Sequence, residues 1–139
     1  MADRRDSSMN AKIIEEFRAN AGKVGGYFQN ATLLVLHTTG AKSGKERVNP
    51  VGAFRYNDML LIVGSNSGAD VDPPWAHNLR AHPRAHIEIG TDAYDVEARE
   101  LPREERDAAY AHIEETTGGF GGHQAKTNRV IPVFELRKL

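Results

Sequence analysis

Between Arg84 and Arg99 apolar and polar residues alternate almost without a break, and no other feature constrains the chain as strongly. Ala85, Ile87 and Ile89 are interleaved with Arg84, His86 and Glu88, and then Tyr94, Val96 and Ala98 with Asp95, Glu97 and Arg99. A period of two places alternate side chains on opposite faces, as strands with one buried and one wet side require. The break at Gly90–Asp92 joins the two strands as an antiparallel hairpin. A chain built around such a unit must close an antiparallel sheet over a core.

The remaining segments fit that requirement. TLLVLH, beginning at Thr32, is a continuous apolar run of strand length that reads as buried on both faces. VNPVGAFRY and MLLIVGS read as two more strands joined by a turn at Asn57 and Asp58, and VIPVFEL closes the chain as a last strand. Three helices are expected. One runs from Asn10 to about Asn20, with Ile13, Ile14 and Phe17 at helical spacing and Ser7, Ser8 or Asn10 as its cap. A second starts near Pro74 and ends before Pro83, and a third opens at Pro102 and stops at Gly118 and Gly119. The order is helix, three strands, helix, two strands, helix, strand. About six strands without β-α-β alternation predict an α+β fold, mainly β, with a mostly antiparallel sheet or small barrel and helices outside, not a Rossmann fold.

A chain of 139 residues suits a single domain spanning 1–139, with residues 1–8 as a polar, mobile tail and 32–137 as the barrel core. The net charge of −1 gives no bulk attraction to nucleic acid or anionic lipid, so any anion site must be local. With no cysteine, disulfides, thiolate catalysis and cysteine-bound metals are excluded. The charged opening MADRRDSSMN lacks a signal-peptide core, and no stretch approaches the ~18 apolar residues that cross a bilayer. A cytoplasmic protein is expected, with peripheral membrane contact left open.

The local anion site is suggested by TTGAKSGKERVNP, from Thr38 to Pro50, which packs two glycines and three cations behind an apolar run. It is not a Walker loop: only Ala41, Lys42 and Ser43 separate Gly40 from Gly44, Glu46 follows Lys45, and a strand follows rather than a helix. What remains is a tight loop between strands whose backbone N–H groups, with Lys42 and Arg47, suit phosphate or carboxylate oxygens. A merely solvated cationic turn is the competing reading.

Other constellations carry less. His82 and His86 are split by Pro83 and the other histidines are scattered, so no metal site is expected. No serine lies in a G-x-S-x-G elbow, and neither the Lys42–Arg47 cluster nor the Lys126–Arg129 patch has the aromatic interleaving of a nucleic-acid surface. Lys126 and Arg129 read as solvated charges beside a strand, or as neighbours of an acidic ligand.

Taken with VGSNSGADVDPPWAHNL, PRAHIEI and KTNRVIPVFEL, the loop resembles the deazaflavin-dependent nitroreductase family over roughly Thr32 to Leu136. The resemblance implies a split β-barrel that binds coenzyme F-420, a deazaflavin with a phosphate and an acidic oligoglutamate tail. Lys42 and Arg47 would hold the phosphate and tail, with the Gly40, Ser43 and Gly44 loop assisting. Asn49 and Pro50 would line the coenzyme channel, Ser65 and Asn66 would run beside the ring, and Trp75 would sit near both ring and acceptor. The family often carries an arginine where this chain has Ala41 and a lysine where it has Asn66, which predicts a weaker anionic grip.

The implied reaction is hydride transfer to a small electron-poor acceptor: a quinone, an activated alkene or a nitro compound. Ser65 or an ordered water would supply a proton. On the acceptor side the best-known members carry tyrosines where this chain has Thr117, Phe120 and His123, which argues against activation of bicyclic nitroimidazoles. The glycines around Phe120 predict a flap in which Phe120 and His123, with Phe28, close over the acceptor. A flavin-mononucleotide reductase or oxidase of the same fold, and a non-catalytic deazaflavin carrier, stay open as alternatives. A homodimer is expected from the fold, although a monomer is compatible with it.

Overall fold

Every strand of the alternating hairpin finds its partner in a closed barrel. The computed structural model describes residues 4–20, 33–65, 70–117, 127 and 129–139. Its elements are α1 (Arg4–Ala19), β1 (Leu33–Thr39), β2 (Glu46–Tyr56), β3 (Met59–Val63), α2 (Pro74–Ala81), β4 (Arg84–Ile89), β5 (Asp92–Glu100), α3 (Arg103–Thr117) and β6 (Val133–Lys138). The strands close in the order β1-β2-β3-β6-β5-β4, and every pairing is antiparallel. Closure leaves no free sheet edge.

Strand alternation divides the apolar residues between the barrel interior and two outer patches. Leu34, Leu36, Val51, Ala53, Ile62, Ala85, Ile87, Val96, Phe134 and Leu136 point inward, where Trp75, Ala76 and Leu79 of α2 join them. Leu33 and Val35 point outward and lie under Phe17 of α1. The apolar run of β1 is therefore continuous because both of its faces are covered. Leu61, Val63 and Val133 face outward under Ala109, Tyr110 and Ile113 of α3. Truncating a buried Leu or Ile such as Leu36 or Ile87 would cost about 2–5 kcal/mol.

The turns follow their chemistry. Asn57 and Asp58 both have positive φ, 50° and 63°, as a primed two-residue hairpin turn demands. Gly90 has φ 58° in the second hairpin, where a side chain would be strained.

The first helix departs from expectation. It begins at Arg4, so Ser7, Ser8 and Asn10 lie within it rather than capping it, and residues 4–8 are helical rather than a tail. Apolar periodicity marks only the stretch that packs on the barrel; the polar turns before it leave no such trace. The glycines at 22, 25 and 26 and the segment 118–126 lie outside the described residues.

Candidate functional site

Antiparallel alternation brings one set of strand termini to one end of the barrel. The end of β1, the start of β2, the end of β3 and the start of β6 meet there, because Thr39 pairs with Glu46 and Val63 with Val133. The α2 helix, which runs from β3 to β4, belongs to the same end.

The Gly40–Lys45 loop is held by its own backbone. Gly40 N–H donates to the Lys45 carbonyl at 2.8 Å, and Gly44 N–H to the Gly40 carbonyl at 3.0 Å. Lys45 N–H donates to Ser43 Oγ at 3.2 Å. A Cβ on Gly40 would stand 2.5 Å from that oxygen, and Gly44 has φ +69°, so both glycines are required by the turn itself. Ala41 N–H donates to Asn78 Oδ1 at 2.9 Å, and Asn78 Nδ2 donates to Thr38 Oγ1 at 3.1 Å. Among the described residues the N–H groups of Lys42 and Ser43 are left without a partner.

The same loop is rich in unneutralised charge. Ala41 to Arg47 are all exposed, and Lys42, Lys45 and Arg47 form no ion pair among the described residues. The one carboxylate nearby in sequence, Glu46, turns to His37 at 3.0 Å on the outer face. Arg47 lies opposite Thr38, and Asn49 opposite Leu36. By alternation both share the inward face of Val51 and Ala53, whereas Pro50 is on the outer face with Val48. Asn49 and Pro50 therefore do not line one wall together.

Ser65 completes the described part of the site. Counting on from the pair Ala53–Ile62 brings Ser65 level with Pro50. Ser65 is buried, and its N–H has no partner among the described residues. Gly64 N–H donates to the Pro132 carbonyl at 2.9 Å, and a Cβ on Gly64 would stand 2.9 Å from the Pro132 ring. Trp75 is 7% exposed and meets Phe134 edge-on with ring centroids 5.8 Å apart, the setting of a core anchor for α2. Asn66, Phe28, Phe120 and His123 lie outside the described residues, as does Lys126.

Two residues that matter here escaped the sequence reading. Asn78 is buried on a helix face otherwise made of Trp75, Ala76 and Leu79, and a lone amide on an apolar stripe is the signal that marks it. Arg129, read as a solvated charge or a neighbour of an acidic ligand, is instead drawn inward: its side chain is 16% exposed and bound to Asp72, Gly64 and Ser65. No local pattern reveals those partners, which are 57 to 65 residues away.

Away from this end, a surface hollow of about 580 Å³ is lined by Arg55, Tyr56, Asn57, Asp58 and His112 beside the β2–β3 turn. It holds none of the candidate site residues. Among the described residues no group of three or more His, Asp or Glu suits a metal ion. Among the described residues no helix is long and apolar enough to cross a membrane.

Comparison with known proteins agrees with this fold. The family model of the F420H(2)-dependent quinone reductases matches residues 10–138. The F420H(2)-dependent quinone reductase Rv1261c of Mycobacterium tuberculosis is 34% identical over 128 residues, covering 88% of this chain and 85% of its own. A solved F420-H2-dependent reductase, FDR-A, is 34% identical with a TM-score of 0.67, over 76% of this chain and 94% of its own. A second solved relative, described as a domain-swapped dimer, is 31% identical with a TM-score of 0.68, over 91% and 96%. The heme storage protein HutZ of Vibrio cholerae shares the fold at 17% identity and a TM-score of 0.58, over 91% of this chain and 90% of its own. The six-stranded antiparallel barrel is thus that of a solved F420-H2-dependent reductase. The chain itself belongs to the F420H(2)-dependent quinone reductase family.

Proposed function

We propose that this chain is an oxidoreductase that binds coenzyme F-420 and reduces a small quinone-type acceptor. The observation that carries the reading is the Gly40–Arg47 segment, where three exposed cations and two open N–H groups stand together at the barrel end that bears Ser65. A ligand with a phosphate and a polycarboxylate tail meets these groups with charge-assisted bonds.

When bound, the reduced deazaflavin supplies a hydride from C5 to the acceptor. The chain's own tasks are binding, orientation and exclusion of water. Lys42 and Arg47 hold the phosphate and tail, with Gly40, Ser43 and Gly44 shaping the loop. Asn49 borders the coenzyme from the inner face of β2, and Pro50, on the opposite face, fixes that strand's backbone. Ser65 N–H would bond a ring carbonyl, helped by Asn66, and Ser65 Oγ or an ordered water would pass a proton from solvent to the reduced acceptor. Trp75 backs the ring from α2, and Phe28, Phe120 and His123 border the acceptor.

The family match over 10–138 supports a single unit with its core at 32–137. The dimeric relative supports a homodimer, to be checked by light scattering. A cytoplasmic location accords with the absence of a membrane-spanning helix among the described residues and of cysteine from the chain.

The test is a fluorescence titration of the protein with F-420 against competing flavin mononucleotide, at several salt concentrations, followed by turnover with menadione. Salt-weakened binding that the flavin does not displace, with quinone reduction, is expected. Displacement by the flavin would favour a flavin enzyme, and binding without turnover on any acceptor would favour a carrier.

A further inference from the structure

We infer that Arg129 is a positioning residue for the deazaflavin ring: it clamps the Gly64–Ser65 backbone so that the Ser65 N–H is presented to the ligand. The inference rests on the proposed function above and adds a residue and a role to it.

The clamp is visible in the bonding. One guanidinium nitrogen of Arg129, Nη2, donates to both the Gly64 and Ser65 carbonyls, at 3.2 and 2.8 Å. The other, Nη1, is held by Asp72 Oδ1 at 2.5 Å. Asp72 Oδ2 accepts from Arg80 Nη1 at 2.8 Å, and Arg80 is anchored through Nε and Nη2 to both oxygens of Glu100, each at 2.9 Å. A chain of charges thus ties the segment before β6 to the end of β5 and the start of α2. Thr127 adds a second tie, donating to Asp70 at 2.9 Å.

Peptide geometry turns this clamp into aim. No peptide bond in the described residues is cis, so the Gly64 carbonyl and the Ser65 N–H point in opposite directions. Fixing the carbonyl on Arg129 fixes the N–H on the far side. Gly64 N–H is meanwhile held by the Pro132 carbonyl, and a side chain at 64 would collide with the Pro132 ring. The residues just before β6 therefore hold Gly64 through the peptides on both its sides, while the Ser65 N–H itself keeps no partner among the described residues. A donor on a buried residue, held in place and without a partner among the described residues, is poised for a ligand acceptor.

A guanidinium engaged with two carbonyls and a carboxylate is also poorly placed to act as a free cation for the tail. That difference supplies the test. Wild type, Arg129→Gln, Arg129→Lys and Lys42→Ala would be titrated with F-420 and with 8-hydroxy-5-deazariboflavin, the same ring without phosphate or tail. Ser65 amide exchange would be followed by NMR in the ligand-free proteins.

Arg129→Gln should weaken both ligands by a similar factor, roughly 10- to 150-fold on the scale of a lost hydrogen bond to a charged partner, and should speed Ser65 exchange. Its salt dependence should stay that of wild type. Arg129→Lys, which keeps the charge but not the fork, should fall between. Lys42→Ala should weaken only the tailed coenzyme. Loss confined to F-420 with a shallower salt dependence would overturn the inference, because Arg129 would then act on the tail. Unchanged affinities and unchanged Ser65 exchange would overturn it as well. If wild type binds neither deazaflavin, the proposed function fails and the ring-positioning role with it. Faster Ser65 exchange in Arg129→Gln would in that case still establish the clamp.

Discussion

Two faces of the barrel treat charge in opposite ways. Beneath α1, Arg18 donates through Nε and Nη2 to Glu88 at 2.9 and 2.6 Å, and His37 lies between Glu88 at 2.7 Å and Glu46 at 3.0 Å. At the barrel end, Lys42, Lys45 and Arg47 face solvent with no carboxylate partner among the described residues. The two faces share Glu46, whose carboxylate goes to His37 and leaves its cationic sequence neighbours unneutralised. Paired charges dock a helix, whereas uncompensated cations of one sign leave a local positive field at the barrel end.

The contrast makes predictions that separate binding from stability. The largest effect should come at the barrel end. Lys42→Ala and Arg47→Ala should each weaken F-420 binding by about 1–3 kcal/mol, the scale of a charge-assisted bond, and the double variant should lose more. The measurements are the dissociation constant and the melting temperature. A fall in melting temperature with unchanged affinity would make these cations structural and erase the contrast.

Next comes the hinge between the two behaviours. Asn78→Ala strands the Ala41 N–H and the buried Thr38 hydroxyl, so it should destabilise the fold by about 1–3 kcal/mol in chemical denaturation. It should also lower coenzyme affinity, since the loop loses its tie to α2. Retained affinity would show that the loop holds its shape unaided.

The smallest effect is expected under α1. The side chain of Arg18 is 54% exposed, so Arg18→Ala should cost less than about 1 kcal/mol and leave coenzyme binding unchanged. The pH dependence is more telling. The Arg18 guanidinium, with His37, holds the Glu88 carboxyl down to about 2, against an ordinary value of 4.5. A lowered folded value means that the stabilisation is complete above 4.5 and is lost as pH falls from 4.5 through 2. The stability difference between wild type and Glu88→Gln, measured by denaturation across that range, should therefore shrink with acid. A constant difference would mean that the pair contributes nothing through its charge.

Legibility in the sequence followed the range of the interactions. The β4–β5 hairpin and the doubly buried β1 were readable because alternation and apolar runs are local consequences of which faces are covered. The Gly40–Arg47 loop was readable as a tight cationic turn, and hence as a candidate anion site, because its glycines and cations are contiguous. The start of α1 was not, because polar helical turns carry no apolar period. The resemblance implied one channel wall for Asn49 and Pro50, although neighbours on a strand face opposite ways.

By itself, then, the sequence determined an antiparallel barrel with three helices and a cationic glycine loop, and its motifs pointed to the family. These rest on propensity, periodicity and residue type, which act over a few positions. Only the tertiary structure decided which cations stay unpaired, that Asn78 braces the loop, and that Arg129 turns inward to the Gly64 and Ser65 carbonyls. Those outcomes depend on barrel closure, which sets side by side groups that the chain holds far apart.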